Sequence, residues 1–259
     1  MQSINEVITY RELISSWTWR AVRARYKQSV LGGVWAIIQP VSQAVIFTII
    51  FTLFIPVDTG NVPYIVFSYT AMVPWILFSS SIADMVDSLV SNMNLVSKIY
   101  FPREILPLAA LLARLVDFGI GYALLFLLII IYRVDIFLLG WLFLPFVLLI
   151  QLALCFGLGL LGGALNVFYR DIRHVVILAI QILFYLTPII YPVTSVPEAI
   201  RPYYYLNPMV GVIESYRAIL LYQSLPGPYL WVSGFVAVLV LLFGYWFFKK
   251  VEFQFADRI

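Results

Sequence analysis

Arg114 and Asp117 stand three positions apart in a stretch, Ile105 to Ile131, that holds no other charge. That spacing puts both on one helix face. Charges inside an apolar stretch are costly, and two readings stand for this pair. Either it lines a polar cavity or pathway, where Arg114 meets an anionic group, or it is a local ion pair with the Arg114 side chain reaching back along the helix. Asp84 and Asp87 lie one turn apart, and His174 adjoins Arg173, so a lipid-modifying enzyme would draw its acid and base from these. No recognisable constellation joins them. His174 is the sole histidine, and neither a phosphate-binding Gly-x-x-x-x-Gly-Lys-Ser/Thr loop nor a His-Glu-x-x-His pair occurs. The only cysteine, Cys155, sits in an apolar run as a small buried residue, which leaves no internal disulfide. No catalytic residue, metal ligand or cofactor-binding residue is therefore expected. A proton- or ion-driven secondary transporter would want inward carboxylates near the midplane, and Asp117 alone supplies little of that.

The elements that must position these residues are membrane helices. The chain is 63% hydrophobic and 11% charged, far from the soluble norm of about 25% charged. Gln28 to Val57, Thr59 to Ala83, Ile136 to Tyr169 and Ala218 to Phe248 contain no Asp, Glu, Lys or Arg, and a crossing needs roughly 20 apolar residues. Hydrocarbon offers no partner for loose backbone groups, so such stretches are helices. The expected fold is an all-α membrane protein. Its 1–30 segment forms an amphipathic interfacial helix and 31–259 a six-span domain, with short re-entrant helices between spans five and six. The spans are placed from Leu31 to about Ile55, with an interruption at Gln39-Pro40, then Tyr64 to about Ala83, Ile105 to Ile131, Ile136 to Leu165, Val175 to Tyr191, and Tyr229 to Phe248. An even number of crossings leaves both termini on one side. That side collects twelve basic residues against three on the other, Arg114 set aside. The positive-inside rule then puts both termini in the cytoplasm.

Before the first span, Ile4, Val7, Ile8, Ile14, Trp17 and Ala21 fall near one helical face, with Arg20, Arg23 and Lys27 on a stripe behind. No apolar run precedes Leu31, so no cleaved leader is expected. The 192–228 connection is divided by prolines, yet Asn207-Pro208 makes a cap and first turn for a helix carrying Met209, Val212, Ile213, Tyr216, Ile219 and Leu220, with Glu214 and Arg217 paired on the opposite face. A lid or gate fits that segment. Phe47, Phe51, Phe54, Phe184 and Tyr185 occupy span interiors. Their faces would suit stacking on sugar rings in a saccharide path, although for any single one of them packing against lipid is the better reading.

Specific stretches add a family resemblance. Arg25-Tyr26-Lys27-Gln28-Ser29-Val30-Leu31-Gly32-Gly33-Val34-Trp35 with Gln39-Pro40, then Asn166-Val167-Phe168-Tyr169-Arg170-Asp171-Ile172, then Leu206-Asn207-Pro208 with Glu214 to Arg217, resemble in order the ABC-2 permeases that export polysaccharides, the Wzm type of O-antigen permease above all. The resemblance implies a homodimer in the bacterial inner membrane. It is served by two nucleotide-binding subunits that carry ATP and magnesium, and it moves polysaccharide linked to undecaprenyl diphosphate through membrane lipid, with no nucleic acid involved. Capsule, teichoic-acid and small-lipid exporters of the same family are the alternatives. Carried over by position, Ser91 to Glu104 is the ATPase-docking segment, with Met93, Leu95, Val96, Ile99, Tyr100 and Phe101 for a socket and Lys98 and Arg103 on its rim. Arg20, Arg23, Arg25, Lys27, Leu31, Gly32, Arg170 and Arg173 mark the cytoplasmic substrate entrance. Phe47, Phe51, Phe54, Arg114, Asp117, Phe184 and Tyr185 are channel residues, and Tyr203, Asn207, Pro208, Glu214 and Arg217 an outer gate.

Overall fold

A computed structural model describes residues 10–27, 32–96 and 101–258, and every regular element among them is helical. In chain order these are α1 (Arg11–Tyr26), α2 (Trp35–Ile49), α3 (Tyr64–Ser88), α4 (Met93–Val96), α5 (Ile105–Ile131), α6 (Leu138–Trp141), α7 (Leu144–Phe168), α8 (Ile172–Tyr185), α9 (Arg201–Tyr204), α10 (Pro208–Leu220) and α11 (Tyr229–Val251). A 3-10 turn (Gly32–Val34) precedes α2 and a π turn (Ile50–Phe54) follows it. Five helical stretches are long and apolar enough to cross a membrane: Gly32–Phe54, Tyr64–Ser88, Ile105–Ile131, Leu138–Phe168 and Tyr229–Phe255.

The centre of the bundle is α3. Its most apolar 18-residue window is 78% buried, against 11% for Gly32–Phe54, and it packs on α2, α5, α7, α8 and α10. Small residues set how closely α7 approaches its neighbours. Gly159 and Gly163, a Gly-x-x-x-Gly pair, lie against Met85 of α3, while on another face Gly157 meets Gly244 of α11 with backbone against backbone. Gln151 on α7 donates its side-chain N–H to the Pro74 carbonyl at 2.7 Å, tying the buried middle of α3 to α7.

Three sequence expectations need correction. Pro40 does not interrupt the first span. It lies inside α2, as is tolerated where neighbouring groups satisfy the freed backbone. The fourth span does not end at Leu165: Asn166 to Phe168 form the last turn of α7, where Asn166 is buried and its Nδ2 donates to the Val86 carbonyl at 2.9 Å. The expected fifth span is a helix of only 14 residues, ending at Tyr185, and so about 21 Å long. Its start and continuation still bracket α3: Arg173 meets Asp87 near one end, and the Tyr64 hydroxyl at the other end donates to the Ile190 carbonyl at 2.6 Å. By contrast, α5 runs from Ile105 to Ile131 as the charge pattern predicts.

Apolar residues gather in two clusters. The larger surrounds α3. A second, at the end of the bundle where the described termini meet, joins Ile14 of α1, Leu89, Phe101, Ile105 and Leu106, Leu160 and Ala164 of α7, and Phe248 and Phe255.

Candidate functional site

Near that terminal end four charges from three elements meet. Arg114 of α5 grips Asp84 of α3 with two parallel bonds, Nε to Oδ2 at 2.7 Å and Nη2 to Oδ1 at 3.0 Å, and its Nη1 reaches Asp117 at 3.2 Å. The fork geometry of a guanidinium suits such a bidentate grip. Arg25, arriving on α1, places Nη2 at 2.9 Å from Asp84 and pairs through Nη1 with Asp117, which also accepts the Tyr26 hydroxyl. Burial, reinforced by that carboxylate, pushes the Tyr26 phenol above its ordinary value. Two positive and two negative charges cancel, so the cluster sits partly buried without a stranded ion.

Beside it lies a cavity of about 450 Å3 between α1, α3, α5 and α8. Its lining combines the polar and charged Arg20, Arg25, Asp84, Asp87, Asn92 and Arg173 with the apolar Trp17, Ala83, Leu106, Ala109, Ala110 and Val176. Arg20 lies over the Trp17 ring at 4.5 Å, and Arg173 reaches Asp87 at 3.3 Å while remaining more than half exposed. A lining that sets arginines beside apolar side chains suits an amphiphile whose head is anionic.

The cluster ranks its own arginines. Arg114→Met removes the bidentate partner of Asp84 and is expected to cost about 2 to 3 kcal/mol, below the 3–5 of a fully buried pair because Asp84 keeps some water. Arg25→Met, which leaves that grip intact, should cost about 1 kcal/mol. Thermal inactivation in detergent measures both, and equal losses would contradict the ranking.

At the opposite end, Arg217 of α10 is 1% exposed. Its Nη1 donates to the Pro188 carbonyl at 2.5 Å and pairs with Glu214 at 2.9 Å. Its Nη2 donates to the Ile189 carbonyl at 2.8 Å, and its guanidinium lies 3.7 Å from the centre of the Phe67 ring. The expected Glu214–Arg217 pair therefore forms, but Arg217 is turned into the bundle and not onto an outward face. The Asn207 cap is as read: its Oδ1 accepts the Met209 N–H at 3.1 Å with Pro208 in the first turn, and its Nδ2 donates to Thr187 Oγ1 at 2.9 Å. Tyr203 is exposed, and the neighbouring Tyr204 shares a 2.6 Å hydroxyl contact with Tyr191.

Between the two ends runs an aromatic strip along α2, α3 and α8. Phe47 stacks on Phe184 at 6.1 Å and lies 6.2 Å from Phe51, which stacks on Tyr64 at 5.7 Å. Phe184 meets Trp75 edge-on at 5.7 Å and Tyr185 at 5.3 Å. Four of the five aromatic channel residues thus come together. Phe54, 74% exposed, stands apart.

Residues 12–221 match the family model of the ABC-2 type transporter. The chain belongs to the ABC-2 type transporter family. It is similar to the O-antigen export system permease protein RfbA of Klebsiella pneumoniae, 30% identical with 91% of this chain and 90% of that one covered. It is similar also to the protein of the same description from Myxococcus xanthus, 29% identical over 99% and 98%. The polysialic acid transport protein KpsM of Escherichia coli is 25% identical over 76% of this chain and 77% of its own.

In this ABC-2 chain the remaining site residues divide clearly. Met93 and Leu95 are half-buried on the second cluster and Phe101 is buried within it, supporting the segment from beneath. Arg103 donates to the Glu252 carbonyl and lies over the Phe255 ring. Leu31, Lys98, Ile99 and Tyr100 lie outside the described residues, as does the Val96 side chain. Arg23, Lys27 and Arg170 are exposed, Gly32 adopts a left-handed φ of 50° as a turn requires, and Arg25 is held by carboxylates. Asp84 belongs to the charge cluster, although its sequence position marked it as the end of a span and a candidate acid or base beside Asp87. Its separation of 59 residues from Arg25 leaves no local signal.

Proposed function

We propose that the chain is the membrane-spanning subunit of an ATP-driven exporter of lipid-linked polysaccharide. It acts as a homodimer with two separate nucleotide-binding subunits that hold ATP and magnesium, in a bacterial inner membrane with both termini cytoplasmic. The observation that carries this reading is the likeness, over nine-tenths of the chain, to permeases named for O-antigen export. In it, α8 and the residues up to Tyr191 complete a sixth crossing, α1 lies in the headgroup layer, and the 192–228 segment forms the outer gate. Arg20 and Arg173 of the cavity lining receive the diphosphate of the carrier, and the apolar lining residues take the first part of its lipid.

Motion follows from how the parts are tied. Partner subunits act on the docking segment, the bundle tilts as a packed body, and the two copies open a passage between them. The aromatic strip supplies faces on which successive sugar rings slide without a fixed hydrogen-bond register. Replacing Phe47 and Phe184 together by Leu keeps the volume apolar but removes the stacking faces. We expect glycan export to fall several-fold, each lost ring contact being worth about 0.5–1.5 kcal/mol, while recovery of the complex and its ATP turnover are kept. Export by the isolated chain in vesicles, without any companion ATPase, would overturn the proposed function.

A further inference from the structure

We propose that the C-terminal tail, Glu252–Arg258, is a working part of the coupling between the docking segment and the spans, with the Lys249–Glu104 ion pair as its keystone. The inference rests on the reading above, in which a partner subunit drives the docking segment.

The tail leaves α11 as a 3-10 helix and folds back across the ends of the bundle. Phe255 is fully buried, 5.5 Å from the Phe248 ring of α11 and 6.0 Å from the Phe168 ring at the end of α7. From there the connection passes to the residues that close the docking segment. Arg103 donates to the Glu252 carbonyl and covers the Phe255 ring at 5.8 Å. Glu104, only 3% exposed, takes Lys249 at 2.8 Å, and Lys249 holds Glu252 at 3.2 Å from its other side. Glu104 immediately precedes α5, so one ion pair joins the start of the third long helix to the end of the last.

A loop transmits a push only if its far end is fixed to something stiff. Without the tail, the exit of the docking segment would be held to α5, to α11 through the Glu104–Lys249 pair and by Phe101 in the apolar cluster. The tail adds a second tie, from Arg103 through Glu252 and Phe255 to Phe168 of α7 and Phe248 of α11, and those two helices are already locked together at Gly157 and Gly244. Displacement at Met93 to Phe101 then reaches the cytoplasmic ends of three long helices at once. Among the described residues Lys249 is the ion-pair partner of the buried Glu104 carboxylate, so removing it strands a charge there.

The test uses the full complex with its ATPase subunits in vesicles, reading ATP hydrolysed, glycan-lipid exported and complex recovered. The variants are Lys249→Gln, Lys249→Arg and Phe255→Ala. Lys249→Gln and Phe255→Ala are expected to assemble and hydrolyse ATP while exporting about fivefold or more less glycan per ATP, and Lys249→Arg to restore the ratio. A merely structural role would lower recovery and leave glycan per ATP unchanged; that outcome in both variants overturns the inference. Should Lys249→Gln fail to assemble, Phe255→Ala, which strands no charge, decides alone. Wild-type complex without ATP-dependent export would refute the partner-driven reading instead, and this inference with it.

Discussion

Arg217→Ala is expected to abolish the stable fold of the half of the bundle around α10. The guanidinium is the donor for the carbonyls of Pro188 and Ile189 and the counter-charge of Glu214, all at a position 1% exposed. Removing it leaves two carbonyls and a carboxylate facing a cavity. Breaking a buried pair costs about 3–5 kcal/mol and each stranded carbonyl about 1–3 more, comparable with the 5–15 kcal/mol of a whole domain. Arg217→Lys keeps the charge but cannot fork between neighbouring carbonyls, so it should fall between the two. The measurement is the half-life of the folded form in mild detergent at fixed temperature, the proper quantity for irreversible unfolding. A half-life for Arg217→Ala equal to that of the wild type would show that the clamp contributes nothing.

Gly244→Val is expected to be nearly as damaging, for a steric reason. A Cβ there would stand 2.2 Å from the Gly157 carbonyl oxygen and 3.1 Å from its Cα, so the obstacle is backbone and cannot rotate aside. The only relief is to separate α11 from α7, which breaks their backbone contact at Gly157 and Gly244. Overpacking typically costs about 1–3 kcal/mol, with larger values where nothing yields. Gly234→Ala in the same helix is the control, since its Cβ would meet only the tip of Ile150 at 3.3 Å. Cysteine cross-linking between α7 and α11 reads their separation; unchanged cross-linking in Gly244→Val would refute the close approach.

The parts of the fold legible in the sequence were those written in local composition. Charges at Arg103, Glu104 and Arg133 fence α5, and its ends fall where expected. Asn207-Pro208 announces α10, whose anticipated apolar face is buried. The parts that were not legible depend on partners far along the chain. Gly157 meets Gly244 at a separation of 87 positions, and Arg25 meets Asp117 at one of 92. Pro40 looked like a break because local propensity ignores the surroundings of a helix, and Leu165 looked like the end of a span because the buried acceptor of Asn166, the Val86 carbonyl, belongs to α3. For the candidate site, residue types and the Arg114–Asp117 spacing pointed to an ion pair or a polar pathway. Which carboxylate Arg114 would grip was a question of packing alone.

The shortness of α8 has a consequence for biogenesis. None of its residues is fully buried, and it is 14 residues long, so it has little to hold it in place when it first emerges from the ribosome. The groups that grip its far end are Tyr64, already made, and Arg217, synthesised 28 residues after Ile189. Nascent chains therefore pass through a stage in which the segment from Ile172 to Tyr191 has Asp87 and Tyr64 to hold its two ends but lacks the Arg217 clamp on Pro188 and Ile189.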